Sequence, residues 1–135
     1  MRFDELSLDP RLLRAIADRG YTETTDVQTR TLAETLAGRD AAVQSQTGTG
    51  KTAAFLVTIF DRLLRDGSRK SGKTLIITPT RELAVQIEGE ADLLNRRLGL
   101  TIGCFYGGVG YEQQEAVLRK GADILIGTPG RLLDL

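Results

Sequence analysis

Hydrophobic positions along this chain follow two patterns, which alternate from about residue 40 onward. In one pattern apolar residues recur at helical spacing, as Phe55, Ile59 and Leu63 do, which is typical of a helix with one buried face. In the other pattern short segments are nearly apolar throughout, which is typical of strands covered on both faces. Four such segments are predicted to be strands: 41–44, 74–78, 101–106 and 123–127. The alternation predicts an α/β fold, with a parallel sheet flanked by helices on both faces.

Helices are expected between and before these strands. Five are predicted, at 10–19, 27–37, 51–64, 82–98 and 111–120. The first begins with Asp9-Pro10, a favourable pair for an N-cap and first turn, and it ends at Gly20. The polar, glycine-containing stretch 65–73 is predicted to be an exposed loop.

The loop between the first predicted strand and the third predicted helix reads Ser45-Gln46-Thr47-Gly48-Thr49-Gly50-Lys51-Thr52. Glycines let a backbone curl around an anion, and the following helix presents free N–H groups at its start. Lys51 could then reach the β- and γ-phosphates of a nucleotide, and the Thr52 hydroxyl could bind Mg²⁺. A simple glycine-rich turn is the alternative. The strand–loop–helix setting favours a site for a nucleoside triphosphate.

Three further loops follow predicted strands, and two of them place an arginine at the start of a helix. In open α/β sheets ligands gather at the carboxyl ends of the strands. Arg81 and Arg131 each lie in a first helical turn, where a cation opposes the helix dipole and is expected to face an anion. The alternatives are local pairs with Glu82 and Asp134.

Glycines and a glutamine each leave two interpretations open. Gly107, Gly108 and Gly110 would let a phosphodiester chain approach main-chain N–H groups, or they form a flexible connection. Gln28 fits a capping box with Thr25, and a carboxamide can also form paired hydrogen bonds with adenine. Spacing does not choose between these readings.

The composition limits which kinds of catalytic, metal and binding site this chain can form. The chain has 135 residues, enough for one domain, with 41% hydrophobic and 27% charged residues. Its 18 basic and 18 acidic residues balance, so a polyanion must be bound by local groups. The absence of histidine excludes imidazole bases and most zinc sites, and the single cysteine, Cys104, excludes an internal disulfide and is expected in the core. We expect a cytoplasmic protein with no signal peptide or membrane span.

Together these segments resemble the first RecA-like domain of a DEAD-box RNA helicase. The resemblance implies ATP and Mg²⁺ as cofactors and RNA, bound through its backbone, as partner. Phe3, Tyr21 and Gln28 resemble the adenine-recognising Q motif. Residues 45–52 resemble motif I, which implies nucleotide contacts from Gln46, Thr47, Gly48, Thr49 and Gly50, with Lys51 and Thr52 as the catalytic pair. Motif Ia, the GG motif and the TPGR motif imply RNA contacts from Pro79, Thr80, Arg81, Gly107, Gly108, Thr128, Pro129, Gly130 and Arg131.

The chain also departs from the family pattern. Thr24 and Asp26 stand where the family usually has proline, so the loop there is expected to be less rigid, and Ser45 replaces a usual alanine. The Asp-Glu-Ala-Asp and Ser-Ala-Thr motifs do not occur. We therefore expect a partial N-terminal RecA-like domain, with a Q-motif helical region at 1–38 and a P-loop core at 39–135. A second RecA-like domain is expected in the same full-length chain.

The function this implies is ATP-driven unwinding or remodelling of RNA duplexes by the full-length protein, with the 135 residues alone inactive. A nucleotide-gated RNA-binding module without hydrolysis is the alternative. A small P-loop kinase would leave the loops of the RNA-binding type unexplained.

Overall fold

A computed structural model describes residues 1–46, 50–65, 73–107 and 111–134. Contacts within the chain divide it into two compact units, Met1–Arg65 and Asp66–Leu135. The division at residue 38 drawn from the motifs stays a prediction. Within the described ranges, no helix is both long enough and apolar enough to cross a membrane.

The first unit is built from three helices. They are α1 (Pro10–Asp18), α2 (Asp26–Thr35) and α3 (Lys51–Arg65), preceded by a 3₁₀ turn at Phe3–Glu5. The predicted helices here are confirmed, with ends shifted by one or two residues. The Asp9 side chain caps α1 by accepting a hydrogen bond from the Arg11 N–H at 2.9 Å. Leu56, Val57 and Phe60 of α3 are fully buried, so α3 supplies much of the core on which α2 packs.

The strand predicted at 41–44 is wrong. These residues form no strand and have no ladder partner within the described part of the chain. Ala41 and Ala42 are exposed and Val43 is half-buried. A short apolar segment holds an extended ladder only where a neighbouring strand pairs with its N–H and C=O groups, and composition alone does not supply that neighbour.

The second unit contains a parallel sheet of three strands. The strands are β1 (Thr74–Ile77), β2 (Ile102–Phe105) and β3 (Ile124–Gly127), in the order β1-β3-β2. Ile77 and Phe105 both pair with Gly127, so all three strands end at the same level. The strands predicted at 74–78, 101–106 and 123–127 are confirmed, with their ends shifted by at most one residue. The accompanying helices are α4 (Arg81–Asn95), α5 (Tyr111–Lys120) and α6 (Pro129–Asp134).

Helices cover both faces of this sheet, as predicted. The Cys104 sulfur of β2 lies 3.7 Å from the Ala84 carbonyl of α4. On the opposite face, a Cβ built on Gly103 would lie 2.9 Å from Val117 of α5. Cys104 is half-buried rather than fully in the core, and burial raises the pKa of its thiol to about 12. The thiol is therefore neutral at physiological pH and is a poor nucleophile.

A buried carboxylate joins the start of α1 to the end of α3. Asp61 is 6% exposed and accepts a hydrogen bond from the Asp9 N–H at 2.8 Å. Arg65 Nε lies 3.0 Å from the same carboxylate, and its guanidinium also donates to the Ser7 carbonyl. Next to this contact, the hydrogen bond from Arg11 lowers the pKa of the Asp9 carboxyl. These bonds fix the position of α1 against α3.

Replacing Asp61 tests this junction. Asp61→Ala leaves the Asp9 N–H without its acceptor and should lower the free energy of unfolding by about 1–3 kcal/mol, measured by urea denaturation. Asp61→Asn keeps an acceptor and should cost less than half as much, because the exposed Arg65 makes the lost ion pair weak. Equal losses in the two variants would contradict this assignment.

Candidate functional site

Lys51 forms a hydrogen bond across the glycine-rich loop. Its Nζ donates to the Ser45 carbonyl at 2.8 Å, so the lysine bonds across the loop to its first residue. Gly50 immediately precedes α3 and has a φ of +89°, a conformation that favours glycine. Gln46 is exposed. The predicted contacts of Thr47, Gly48 and Thr49 fall outside the described residues.

The donors at this loop fit a polyphosphate. An ammonium group and the first turn of a 15-residue helix lie together, and both favour anions. Thr52 is half-buried in that first turn. Nowhere in the described ranges do three or more His, Cys, Asp or Glu side chains form a metal-binding group. Since Mg²⁺ at phosphates keeps waters and needs few protein ligands, Thr52 fits an Mg²⁺ ion held chiefly by a nucleotide.

Gln28 connects α2 to this loop. The capping box is confirmed: the Gln28 side chain accepts from the Thr25 N–H at 2.9 Å, and Thr25 Oγ1 accepts from the Gln28 N–H at 3.2 Å. The side-chain amide also donates to the Gly50 carbonyl at 3.3 Å. A Cβ on Gly50 would lie 2.3 Å from that amide nitrogen, so any other residue there would displace the Gln28 side chain, and the φ of Gly50 separately favours glycine.

These bonds leave adenine recognition by Gln28 as a prediction. A carboxamide has two N–H groups and an oxygen with two lone pairs, so one donor and one acceptor site remain after the bonds described. Gln28 is 6% exposed, and its orientation is already fixed by the capping box and by Gly50.

The two aromatic residues assigned to the Q motif lie together. The rings of Phe3 and Tyr21 have centroids 6.2 Å apart and are inclined by 27°. Phe3 is 3% exposed, whereas Tyr21 is partly exposed, with the Arg19 guanidinium 5.4 Å from its ring centroid. Of these two rings Tyr21 is therefore the more accessible, and Phe3 packs beside it in the core.

Hydrogen bonds made by Thr24 hold the loop that was expected to be loose. The Thr24 N–H donates to the Met1 carbonyl at 2.8 Å, and its hydroxyl bonds the same carbonyl at 3.0 Å. The hydroxyl also lies 2.6 Å from Thr29 Oγ1. Proline could make none of these bonds. In the sequence Thr24 stands out only as a missing proline, because its hydrogen bond to Met1 depends on the fold.

The strand ends of the second unit bring three predicted loops to one edge. The Thr78 N–H donates to the Gly127 carbonyl at 2.9 Å, and the Thr128 N–H donates to the Phe105 carbonyl at 3.0 Å. Thr78 is 2% exposed and its hydroxyl donates to the Thr80 carbonyl at 3.0 Å, which shapes the turn into α4. We call this edge, formed by residues 78–81, 106–107 and 128–131, the strand-end edge. The glycine-rich loop at 45–52 belongs to the other unit, and its predicted place on the same edge stays a prediction.

Arg81 begins α4 on the strand-end edge. Thr80 caps the helix by accepting from the Leu83 N–H at 3.2 Å. The Arg81 guanidinium carbon lies 4.8 Å from the ring centroid of Tyr106, a cation–π contact that leaves the charge in place. Arg81 is exposed, and among the described residues no carboxylate, Glu82 included, lies within ion-pair distance of it.

The Arg131 side chain is hydrogen-bonded to Gln114 of α5. Its Nη1 donates to Oε1 of Gln114 at 3.4 Å, and Gln114 Nε2 donates to the Tyr106 carbonyl at 3.1 Å. The alternative partner predicted for Arg131, Asp134, stays open. Neither Gln114 nor Tyr106 was singled out from the sequence, because their roles depend on where α5 returns to the sheet.

The other residues predicted on this edge are accessible. Pro79, Thr80, Gly107, Pro129 and Gly130 are exposed, and Thr128 is half-buried. A Cβ placed on Gly107 or Gly130 would meet nothing within 4 Å. The packing described here therefore does not require glycine at these two positions. Gly108 lies outside the described residues.

Comparison with known proteins decides the family. The family model for the DEAD/DEAH box helicase matches residues 25–135. This chain belongs to the DEAD/DEAH box helicase family. The resemblance drawn from its motifs is confirmed.

Individual proteins similar to this chain carry names that agree with this family. The chain is 47% identical to the ATP-dependent RNA helicase RhlB of Pasteurella multocida, with 99% of this chain and 32% of that protein covered. It is 49% identical to the RhlB of Shigella dysenteriae, with 98% and 33% covered. The chain thus spans about a third of the length of these curated relatives. A hypothetical ATP-dependent RNA helicase from Sulfolobus tokodaii superposes with a TM-score of 0.84 at 35% identity, covering 95% of this chain and 36% of that one. This likeness confirms the RecA-like fold.

The Gln28–Gly50 contact can be isolated with two substitutions. Gln28→Glu keeps the acceptor for the Thr25 N–H but turns a carboxylate oxygen toward the Gly50 carbonyl. It should lower the free energy of unfolding at least as much as Gln28→Ala does, because a buried charge then faces an acceptor. Gln28→Ala removes both bonds and should cost about 1–3 kcal/mol. Urea denaturation measures both.

The exposed Gln44 in the same unit provides the control. Gln44→Ala should leave the free energy of unfolding unchanged within about 0.5 kcal/mol. If Gln28→Ala is no more destabilising than Gln44→Ala, the side chain does not connect α2 to the loop.

Proposed function

We propose that this chain is the part of an ATP-dependent RNA helicase that holds ATP and one stretch of RNA backbone. In the full-length protein, binding and hydrolysis of ATP would drive the unwinding or remodelling of RNA duplexes. The observation that carries the proposal is the strand-end edge, where two arginines and two accessible glycines converge in a member of this family. The names of the relatives support the same activity.

For the nucleotide, the proposal assigns recognition and phosphate contacts to different elements. Gln28 would pair with adenine while Tyr21 stacks near it, with Phe3 behind the tyrosine. Lys51 would exchange the Ser45 carbonyl for the β- and γ-phosphate oxygens. Thr52 would complete the ligands of a phosphate-bound Mg²⁺. The bond from Gln28 to Gly50 then makes the adenine contact sensitive to the shape of the phosphate loop.

For RNA, the proposed contacts are with phosphates. Arg81 and Arg131 would each bind a phosphate oxygen, and Gly107 and Gly130 would let the backbone approach main-chain N–H groups. Thr80, Pro79, Thr128 and Pro129 shape the turns that present these groups. Phosphate contacts carry no base information, so binding should be independent of sequence. An RNA substrate is consistent with the cytoplasmic location expected from the sequence.

Hydrolysis would need groups beyond these residues. In the family the Asp-Glu-Ala-Asp carboxylates orient Mg²⁺ and the attacking water, and a second RecA-like domain supplies arginines. Neither occurs in residues 1–135, so we expect this chain alone to bind nucleotide and to turn over no ATP. Robust steady-state ATP turnover by residues 1–135 with RNA present would contradict that expectation.

Lys51→Ala tests the nucleotide site. Loss of a charge-assisted contact to phosphate should weaken Mg-ATP binding by about tenfold or more, measured by isothermal titration calorimetry. Arg14→Ala removes one positive charge from an exposed position on α1 in the same unit and should leave the affinity unchanged. Equal effects of the two substitutions would reject Lys51 as a phosphate ligand. In the full-length protein, RNA binding that responds to Mg-ATP without any ATP turnover would instead favour the nucleotide-gated RNA-binding module without hydrolysis.

Arg81→Gln tests the RNA surface. It should weaken the binding of different single-stranded RNAs by the same factor and reduce the slope of log affinity against log salt by about 0.7. Fluorescence anisotropy at several salt concentrations measures both quantities. Arg96→Gln is the matched control, because Arg96 is exposed at the opposite end of α4. The RNA assignment fails if Arg96→Gln has the larger effect or if both leave the slope unchanged.

A further inference from the structure

Gln114 is a buried polar side chain that none of the motifs includes. It lies in the first turn of α5 and is 5% exposed. A buried carboxamide is costly unless its donor and acceptor atoms find partners. Both partners of Gln114 lie at the strand-end edge: the Tyr106 carbonyl at 3.1 Å and the Arg131 guanidinium at 3.4 Å.

These partners fix which way the amide faces. A backbone carbonyl only accepts hydrogen bonds, so the amide nitrogen must point to Tyr106. The amide oxygen is then directed to Arg131, which only donates. This hydrogen bond orients the guanidinium through a neutral acceptor.

Tyr106 links this arrangement to the second arginine of the edge. Its carbonyl holds Gln114, while its ring lies under the Arg81 guanidinium, 4.8 Å from centroid to carbon. Tyr106, which directly follows β2, therefore contacts Arg81 through its ring and is linked to Arg131 through Gln114. An arginine that is already ordered loses less conformational freedom when it binds a phosphate.

We propose that Gln114 is a positioning residue, which holds the Arg131 guanidinium ready for an RNA phosphate, with Tyr106 relating that position to Arg81. This inference rests on the proposed function and deepens it, because it names what arranges the RNA-binding arginines. It makes Gln114 a determinant of RNA affinity without direct contact with RNA.

The positioning can be tested without RNA. In the full-length protein labelled with ¹⁵N-arginine, NMR relaxation reports the order of the Arg131 Nε–H. Gln114→Met, which removes both hydrogen bonds, should lower the order parameter of that group. Gln113→Met, at the exposed neighbouring glutamine of α5, should leave it unchanged. An Arg131 order parameter that does not fall in Gln114→Met overturns the proposal.

A second variant covers the case in which Gln114→Met does not fold. Gln114→Glu retains an acceptor for Arg131 and should keep the guanidinium ordered. Its added negative charge should nevertheless weaken RNA binding. A disordered Arg131 in Gln114→Glu, or RNA binding as tight as in the wild type, overturns the proposal.

The consequence for RNA is tested by a double-mutant cycle. Gln114→Met should weaken single-stranded RNA binding by roughly threefold to tenfold, with Mg-ATP affinity unchanged. Added to Arg131→Gln, it should cause no further loss, because there is no arginine left to position. The same loss in both backgrounds means that Gln114 supports only the fold, and this overturns the proposal. Failure of the wild type to bind RNA at low salt rejects the proposed function instead, and the NMR measurement then decides the positioning role by itself.

Discussion

Parallel pairing of β3 with both of its neighbours is the constraint on which the second unit depends. The shared register at Gly127 ends all three strands at one level, although β1 and β3 are not consecutive strands of the chain. Every loop that leaves a strand there must begin beside the others. Chain segments around residues 80, 106 and 130 thus meet because of backbone hydrogen bonds, before any side chain is considered.

Side chains then turn this edge into a surface suited to anions. Arg81 keeps its charge because its described partner is an aromatic face, and Gln114 offers Arg131 an acceptor that carries no charge. In the first unit Gln28 has the equivalent role, because it bonds both the N-cap residue of α2 and Gly50, which precedes α3. Both units therefore use a buried carboxamide to set the geometry of a loop that carries a cation.

Local signals in the sequence were sufficient for most elements but not for their long-range partners. Asp9-Pro10 and Thr25 with Gln28 identify helix starts because capping involves residues only a few positions apart. The segment 41–44 was mistaken for a strand because apolar composition does not reveal whether a pairing neighbour exists. Gln114 and Tyr106 escaped notice for the same reason, since their contacts join residues brought together by the sheet. The motifs identified the edge, and only the structure identified what arranges it.

The central claim is that RNA backbone binds at the strand-end edge of this helicase-family chain. Backbone amide NMR during titration with single-stranded RNA tests it most directly. We expect the amide signals of Thr80, Gly107 and Gly130 to shift, while those of Gly99 and Gly121, which lie in the turns leading into β2 and β3, stay in place. Shifts confined to Gly99 and Gly121 would contradict the account.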